Sequence, residues 1–306
     1  MCAMSPTVYL VGAGGQLGAA VQARPNPSWV LRPLTSAEID ITDPASVARA
    51  LTDLGPGDVV LNCAAYTNVD GAQTDVGRAF AVNRDGPANL ARATAAAGAW
   101  LIHISTDYVF AGAAATADAP RRTVPYEPDE PTGEPETVYG ASKLAGERAS
   151  MAADPRTTIV RTAWVYTGGP DSPDFVGTIR RLESQRDELS VVDDQTGSPT
   201  YALDLAAGLA ELIAAGPGPT TCGVVVHATN AGAVTWNQVA RAVFEELGAD
   251  PARVRPCTTA DFPRPAPRPA FSVLSGSSWA AAGLTPLRDW RQALHAAVHS
   301  AGAGVG

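Results

Sequence analysis

The feature that most restricts the fold of this chain is a short apolar run followed directly by a glycine-rich turn. Residues 8–11 read Val-Tyr-Leu-Val, which is typical of a strand buried on both faces of a sheet. A Gly-x-x-Gly-x-x-Gly pattern follows, and residues 19–23 then favour a helix. A Gly-x-Gly-x-x-Gly register from the same first glycine fits less well. The glycines of the better register are Gly12, Gly15 and Gly18.

A strand, a glycine turn and a helix in this order are typical of a dinucleotide-binding site. Glycines permit the tight turn, and backbone N–H groups at the start of the helix can approach a pyrophosphate. We therefore predict that this stretch binds a dinucleotide. A loop with a purely structural role is the alternative.

Apolar strands and helical segments alternate through the first half of the chain. The alternation predicts an α/β fold, a Rossmann-type doubly wound parallel sheet, with a smaller C-terminal substrate-binding lobe. Residues 111–138 lack periodicity and are predicted to form a long loop over the site. Further strands are predicted at 29–34, 58–62, 100–104 and 158–161, and helices at 44–51, 74–83, 87–97 and 139–152.

In the second half the predicted elements are shorter and more polar. Thr235 and Gln238 form a capping-box pattern that starts a helix ending near Leu247. Helices are also predicted at 174–185, 201–214 and 289–299, a strand at 223–227, polar turns at 191–200 and an extended proline-rich segment at 262–269. We predict an NAD(P)-binding domain at 1–166 with returning segments near 201–230, a substrate-binding lobe at 167–200 and 231–290, and a frayed tail at 300–306.

Charge and cysteine usage argue against several classes of protein. A net charge of −9 without a run of basic residues is unlike a nucleic-acid-binding protein, which needs a basic face. No apolar run approaches the ~18 residues of a membrane span. The four cysteines are scattered, with no Cys-x-x-Cys pair, and we find no histidine at metal-ligand spacing. We therefore expect reduced thiols, no metal site and, because no signal peptide is recognisable, a cytoplasmic protein.

Tyr139 and Lys143 lie four positions apart in a predicted helix, so they share one helix face. A nearby ammonium favours the phenolate, so we expect Lys143 to lower the pKa of Tyr139 toward working pH. Such a tyrosine is suited to donate a proton to a carbonyl oxygen. An ordinary Tyr-x-x-x-Lys pair on a solvated helix face is the alternative.

Small and polar residues follow the predicted strands at their carboxyl ends, where doubly wound sheets bind ligands. Thr106 is suited to hydrogen-bond a substrate oxygen, and Ser105 is equally suited on spacing alone. The residues predicted at these strand ends are Gly15, Ala64, Ala65, Thr106 and Asp107.

The second predicted strand lacks the acidic residue that commonly binds the ribose 2′-hydroxyl of NAD. Its charged residue is Arg32, and a guanidinium suits a 2′-phosphate, so the sequence favours NADPH over NADH. A surface position for Arg32 is the alternative. Asp40 is expected to face the adenine ring.

Together these motifs resemble the extended short-chain dehydrogenase/reductases and, within them, the dTDP-4-dehydrorhamnose reductase family. Each block combines residue types at fixed spacing, and the middle blocks are the most specific. The blocks are residues 15–18, 62–70, 105–110, 139–147, 161–166 and 194–200.

The resemblance implies the last step of dTDP-L-rhamnose biosynthesis, in which NADPH, or NADH, reduces the 4-keto group of dTDP-4-dehydro-L-rhamnose. It implies that Tyr139 and Lys143 are the catalytic pair, that Thr106 and Asp107 hold the sugar, and that Trp164 packs on the substrate. The implied cofactor contacts are Gly15, Gln16, Leu17, Asp40, Ile41, Ala64, Ala65 and Tyr66.

Two residues extend or limit this implication. Arg268 is our own candidate for the substrate pyrophosphate, because guanidinium binds phosphate through paired hydrogen bonds, although a solvated arginine is the alternative. Some relatives dimerise through magnesium held by glutamates, one of them two residues past the third glycine. Ala20 occupies that position, and a methyl group cannot bind a hard cation. We therefore predict no magnesium and a monomer or weak homodimer.

Three other functions share this fold. A 4,6-dehydratase needs an Asp-Glu pair after the threonine, whereas Asp107 is followed by Tyr108. A nucleotide-sugar epimerase would retain NAD without net use of NADPH. A non-catalytic NADP-binding regulatory module remains the third, but an intact Thr106, Tyr139 and Lys143 favours catalysis.

Overall fold

The computed structural model of the protein describes residues 5–24, 28–111 and 122–300. The predicted tail from 301 onward and residues 112–121 of the predicted loop lie outside this part. The strands are β1 (Thr7–Val11), β2 (Val30–Leu34), β3 (Val59–Asn62), β4 (Trp100–Thr106), β5 (Thr158–Thr162), β6 (Val165–Tyr166), β7 (Leu189–Val192), β8 (Thr196–Gly197), β9 (Thr200–Tyr201), β10 (Val225–His227), β11 (Val234–Thr235) and β12 (Val254–Cys257). The α-helices are α1 (Gln16–Gln22), α2 (Pro44–Ala50), α3 (Val69–Ala72), α4 (Val76–Phe80), α5 (Gly86–Ala97), α6 (Val138–Ala153), α7 (Phe175–Glu183), α8 (Ala202–Ala215), α9 (Trp236–Glu246), α10 (Ser277–Ala281) and α11 (Trp290–His299).

A six-stranded parallel sheet in the order β10-β5-β4-β3-β1-β2 forms the centre of the protein. Successive side chains of β1 point to opposite faces, as the two-residue period of a strand requires. Val8 and Leu10 pack into the core that contains α1 and α8, whereas Tyr9 and Val11 pack into the core that contains α2 and α5. Helices cover both faces, so the predicted Rossmann-type doubly wound fold is confirmed.

A third apolar core lies apart from the sheet and joins α7, α9 and α11 to β7 and β12. Its centre is formed by buried residues of α9 and α11, among them Val243, Phe244 and Leu294. The capping box predicted for α9 is present, because Thr235 and Gln238 exchange side-chain-to-backbone hydrogen bonds. This core supports the predicted substrate-binding lobe, whose boundaries remain a proposal, and α11 also contributes to it.

One predicted helix differs from the structure. Instead of a helix at 74–83 separated from the next, α4 continues through a π-helix at Ala81–Asp85 directly into α5. The π-helix widens the backbone around Asn83. The buried Asn83 side chain makes three hydrogen bonds, two to the backbone of Tyr66 and one to the Ser142 hydroxyl. The polar turns predicted at 191–200 contribute three short strands, β7, β8 and β9.

Among the helices of the described residues, none combines the length and the apolar character needed to cross a membrane.

Candidate active site

A cleft of about 1190 Å³ opens at the carboxyl ends of β1, β3, β4 and β5. One wall is the sheet edge with the glycine turn, and the other is formed by the second lobe. Most residues predicted for the site line this cleft. They are Gly12, Gly15, Gln16, Leu17, Gly18, Asp40, Ile41, Ala64, Ala65, Tyr66, Thr106, Tyr139, Lys143 and Trp164.

The glycine turn is packed so closely that side chains are excluded at two of its positions. Gly12 has φ +83°, and a Cβ there would lie 2.5 Å from the Ala64 nitrogen. A Cβ on Gly18 would lie 2.4 Å from the Gly12 oxygen. Backbone thus forms the floor of the cleft, which leaves room for a flat or extended ligand.

Gln16 links the glycine turn to the second lobe. Its Nε2 atom donates a hydrogen bond of 3.2 Å to Asp174 Oδ2. Asp174 also caps α7, because its Oδ1 accepts a hydrogen bond from the Gly177 nitrogen at 2.9 Å. The side chain of Gln16 therefore links the two walls of the cleft through a hydrogen bond.

We expect Gly18→Ala to weaken binding of NADPH, because the new methyl group cannot fit without moving the turn. Overpacking of this kind costs about 1–3 kcal/mol, so the dissociation constant should rise about tenfold or more. Fluorescence titration with NADPH measures it. Gly276→Ala is the matched control, since a Cβ at Gly276 has no atom within 4 Å and Gly276 does not line the cleft. Equal affinity in the two variants would contradict the close-packed floor.

Arg32 is not brought to the cleft. Its Nη1 atom lies 3.2 Å from Asp53 Oδ2, and its guanidinium lies 5.2 Å from the ring of Tyr9, its partner in the β1–β2 register. The prediction that Arg32 meets the cofactor therefore disagrees with the structure, which favours the surface alternative. Arg78 lines the cleft instead, near Asp40.

Asp40 lies at the same end of the cleft as Arg78. Its Oδ1 atom accepts hydrogen bonds from both the nitrogen and the hydroxyl of Thr42, at 2.9 and 2.7 Å. These hydrogen bonds lower the pKa of Asp40, and the charge of Arg78 adds to the effect. Asp40 is thus an ionised acceptor, suited to hydroxyl groups of a ribose.

Tyr139 starts the first turn of α6, after the N-cap Thr137. Burial raises its pKa to about 12, although the neighbouring Thr106 hydroxyl offsets part of the rise. Lys143 does not contribute to the shift, so the expected lowering of the Tyr139 pKa by Lys143 is wrong for the protein without its cofactor. The physical reason is desolvation, which disfavours the phenolate.

Lys143 is almost completely buried. Its Nζ atom donates a hydrogen bond of 2.7 Å to the Ile104 oxygen and lies 3.4 Å from His103 Nε2. Burial lowers the pKa of Lys143 to about 8, while the carboxylate of Glu147 opposes that shift. Lys143 therefore changes charge close to neutral pH.

His103 was not identified from the sequence, since it lies in the middle of an apolar strand. Its Nδ1 atom lies 3.0 Å from Asn62 Nδ2, and Asn62 Oδ1 accepts a hydrogen bond from the Ala64 nitrogen. Burial, followed by the charge of Lys143, holds the pKa of His103 well below its usual range. A neutral imidazole thus supports Lys143 from behind.

Ser105 and Thr106 were equivalent on spacing, and the structure separates them. Ser105 Oγ donates a hydrogen bond of 2.5 Å to Glu147 Oε1 and is occupied by that contact. Both residues line the cleft, but Thr106 lies beside Tyr139, and its Oγ1 donates to Asp107 Oδ1 at 3.0 Å. This geometry favours Thr106 as the hydroxyl that meets a ligand.

Asp107 and Arg268 are not part of the cleft lining. Asp107 is buried, which raises its pKa to about 6, although hydrogen bonds from Ser272 and Thr106 oppose the rise. Arg268 Nη2 lies 2.9 Å from Asp70 Oδ2, and its Nη1 donates to the Ala266 oxygen. The prediction that Arg268 meets a pyrophosphate is therefore not supported, because an acidic partner holds its guanidinium.

The second lobe contributes an aromatic wall. Trp164 stacks on Trp236 with ring centroids 3.5 Å apart, and Phe175 packs against Trp236. Trp164 has φ +47°, a strained conformation for a bulky residue. Its ring fits because residue 197 is glycine, where a Cβ would lie 2.4 Å from the indole. Trp236 was missed, since a tryptophan starting a helix resembles a core residue.

Helix α6 is positioned by the π-helix. Asn83 Nδ2 donates to Ser142 Oγ at 2.9 Å, and the Asn83 side chain also holds both backbone groups of Tyr66. A Cβ on Gly146 would lie 1.9 Å from the Asn83 oxygen, so the two backbones are in direct contact. Helix α6 and the side of the cleft at Tyr66 are thereby fixed to each other.

A family model described as "RmlD substrate binding domain" matches residues 6–302 of this sequence. The chain belongs to this family. It is 53% identical over 299 residues to a dTDP-4-dehydrorhamnose reductase of Mycobacterium tuberculosis, with 97% of this chain and 94% of that protein covered. It is 51% identical over 297 residues to a dTDP-4-dehydrorhamnose reductase of Mycolicibacterium smegmatis, covering 96% of this chain and 86% of that protein.

A solved structure supports the same family membership. The crystal structure of a dTDP-4-dehydrorhamnose reductase from Bacillus anthracis in complex with NADP superposes with a TM-score of 0.85 at 34% identity. The match covers 95% of this chain and 98% of that one. The extended short-chain dehydrogenase/reductase architecture predicted from the motifs is thus confirmed.

Ala20, which stands where some family members have a magnesium ligand, is buried in the core between α1, α8 and the sheet. Its methyl group offers no oxygen to a cation. The prediction of no magnesium therefore stays a prediction that agrees with this packing.

Proposed function

We propose that this chain reduces the 4-keto group of dTDP-4-dehydro-L-rhamnose with NADPH, the last step of dTDP-L-rhamnose biosynthesis. The observation that carries the proposal is the meeting of Tyr139, Lys143 and Thr106 in the same cleft as the glycine turn. The names of the M. tuberculosis and M. smegmatis relatives and the NADP complex of the B. anthracis relative support it.

The residues of the cleft fit a nicotinamide dinucleotide, because the Cβ-free floor at Gly12 and Gly18 leaves space for it. In this proposal Gly15, Gln16 and Leu17 hold the pyrophosphate. The residues assigned to the rest of the cofactor are Asp40, Ile41, Ala64, Ala65, Tyr66, Tyr139 and Lys143. When bound, NADPH supplies the hydride.

Tyr139 is the proposed proton donor to the C4 oxygen of the sugar. Its raised pKa keeps the phenol protonated at neutral pH, so the proton is available when negative charge develops on that oxygen. Thr106 exchanges its bond to Asp107 for one to the same oxygen. Lys143, in its charged form, would donate a hydrogen bond to the nicotinamide ribose, and Trp164 packs on the sugar.

The decisive experiment measures loss of NADPH absorbance with dTDP-4-dehydro-L-rhamnose, together with identification of the product. We expect stoichiometric formation of dTDP-L-rhamnose. NADPH binding without consumption would instead indicate the regulatory module. Interconversion of sugar nucleotides without net oxidation of NADPH would indicate the epimerase.

We expect the reduction rate to fall as pH rises through about 8. Below this value Lys143 is protonated, and above it the neutral amine would hold the cofactor ribose less strongly. The measurement is kcat for the keto sugar between about pH 6 and pH 10, on either side of the Lys143 pKa of about 8. A rate that stays constant across this range would contradict the role of the Lys143 charge.

Arg78 replaces Arg32 as the proposed partner of the cofactor 2′-phosphate. We expect Arg78→Ala to raise KM for NADPH about tenfold, which corresponds to losing one charge-assisted hydrogen bond. KM for NADH should be unchanged, because NADH lacks that phosphate. Arg32→Ala is the matched control and should leave both values unchanged, since Arg32 pairs with Asp53. A rise in KM for NADPH in the control alone would restore the original assignment.

Further proposals concern the ligands, the oligomeric state and the location of the protein. We infer a small nucleotide-sugar substrate, no nucleic acid, and a monomer or weak homodimer, which analytical ultracentrifugation tests. A cytoplasmic location is proposed, and the free Cys63, Cys222 and Cys257 support it, because thiols stay reduced there.

A further inference from the structure

Two histidines and a glutamate meet on the surface where α9 packs against α11. His295 and His299 are four residues apart on α11, so their imidazoles share one face. His295 Nδ1 lies 2.8 Å, and His299 Nε2 3.1 Å, from the same oxygen, Glu246 Oε2. The prediction from the sequence that no histidine stands at metal-ligand spacing is therefore wrong for His295 and His299.

The three side chains differ in exposure in a way that suits a binding site. The Glu246 side chain is 14% exposed, whereas those of His295 and His299 are 65% and 50% exposed. The carboxylate thus forms a fixed base, and the imidazoles lie above it within reach of solvent. One ligand atom from each residue lies within 4.8 Å of the others.

The neighbouring imidazoles also favour the charged form of the Glu246 carboxylate. Burial raises the pKa of Glu246, but hydrogen bonds from His295 and His299 outweigh burial, and the net shift is downward. Arg291 also favours the ionised form, although its guanidinium pairs with Glu245. Within residues 5–24, 28–111 and 122–300, no lysine or arginine forms an ion pair with the Glu246 oxygen that the histidines face.

We propose that Glu246, His295 and His299 bind one divalent cation of borderline softness, for which Zn²⁺ is the representative ion. Two imidazoles and a carboxylate are ligands that Zn²⁺ accepts in a tetrahedral site, with water in the fourth position. The hard Mg²⁺ ion prefers oxygen ligands in an octahedron and does not fit.

Binding requires each imidazole to present an unprotonated nitrogen to the ion. His295 then carries its proton on Nε2 and His299 carries its proton on Nδ1, so the tautomers reverse without loss of a proton from a neutral ring. The ion replaces the two hydrogen bonds to Glu246 and joins the end of α9 to α11. Because an unfolded chain lacks this geometry, binding stabilises the second lobe.

The test is a titration of the untagged full chain with Zn²⁺, followed by calorimetry and by the thermal unfolding temperature. We expect one saturable site, a raised unfolding temperature with Zn²⁺, and no change with Mg²⁺. His295→Asn and His299→Asn should each weaken Zn²⁺ binding by about tenfold or more. Their unfolding temperatures without metal show whether the variants fold.

Free thiols also bind Zn²⁺, so Cys257→Ser is the matched control from the same lobe. It should retain the Zn²⁺ affinity of the unaltered chain. Co²⁺ gives a second readout, since thiolate ligation adds strong near-ultraviolet absorption that imidazole and carboxylate ligation lacks. His103 and His227 are buried and do not compete. Unchanged affinity in both histidine variants, or loss of binding in Cys257→Ser, would overturn the proposal.

Discussion

Tyr139→Phe is expected to lower kcat for reduction of the 4-keto sugar by about a hundredfold to ten-thousandfold, the usual contribution of a general acid. The variant loses a single hydroxyl from a half-buried ring, so the shape of the cleft is retained. Without that hydroxyl, the cleft loses the phenol proton beside Thr106. The measurement is the rate of NADPH loss at saturating sugar nucleotide, with NADPH affinity determined separately by fluorescence.

Tyr108 provides the control for this variant. Its ring meets that of Tyr139 edge to face, with centroids 5.6 Å apart, and burial raises its pKa even further. Tyr108 is not among the residues that line the cleft, so Tyr108→Phe should retain most of the turnover. Near-normal turnover in Tyr139→Phe would refute the assignment of the proton donor while leaving the cofactor site intact.

Glu147→Leu is expected to destabilise the protein by about 3–5 kcal/mol, the cost of leaving one member of a buried ion pair without its partner. Glu147 and Arg161 form two parallel hydrogen bonds of 2.8 and 2.9 Å, and each side chain is 4% exposed. Ser105 donates a third bond to the same carboxylate. Chemical denaturation of the variant measures the change in the free energy of unfolding.

The exposed pair of Arg255 and Glu188 is the matched control. Both of its side chains are 58% exposed, so Glu188→Leu should change stability by less than about 1 kcal/mol. Combining Glu147→Leu with Arg161→Met should recover much of the loss, because the buried guanidinium is then no longer left without its partner. Similar losses in the two single variants would show that the Glu147 pair contributes no more than a surface pair.

Glu147 also links stability to catalysis. Its carboxylate favours the charged form of Lys143, one helical turn away on α6. At a temperature low enough for Glu147→Leu to remain folded, its reduction rate should therefore begin to fall at a lower pH than in the unaltered protein. In the unaltered protein the pKa of Lys143 is about 8.

The architecture was predictable because it depends on short-range patterns. The apolar strand at 8–11 and the capping box at Thr235 and Gln238 are local signals, and both appear in the structure as predicted. The rule that ligands bind at the carboxyl ends of parallel strands then placed Thr106 and Ala64 in one cleft. Local pattern and sheet topology together were sufficient for these residues.

What could not be predicted depends on contacts between residues far apart in sequence. An arginine reaches several ångströms from its backbone, so its position is decided by whichever carboxylate lies nearby in the fold. Asp53 draws Arg32 away from the cleft, and Asp70 holds Arg268, whereas Arg78 remains at the cleft. No local pattern contains this information.

Electrostatic environment was the other limit. The pairing of Tyr139 with Lys143 was evident from spacing, but the extent of desolvation was not. Burial raises the pKa of Tyr139 and lowers that of Lys143, and both shifts depend on the packing of distant segments. His103, which lies behind Lys143, becomes recognisable only once β4 is placed beneath α6.

The backbone contact between Gly146 and Asn83 restricts which parts of the cleft can change when substrate specificity changes. Helix α6 cannot slide or rotate past the π-helix without a collision. Tyr139 and Lys143 therefore keep a fixed position relative to the sheet. In the proposed binding mode, a sugar with a different ring substituent would therefore be accommodated by the facing wall, at Trp164 and Trp236. Divergence in specificity should accumulate on that aromatic side, while the chemistry of hydride and proton transfer is inherited unchanged.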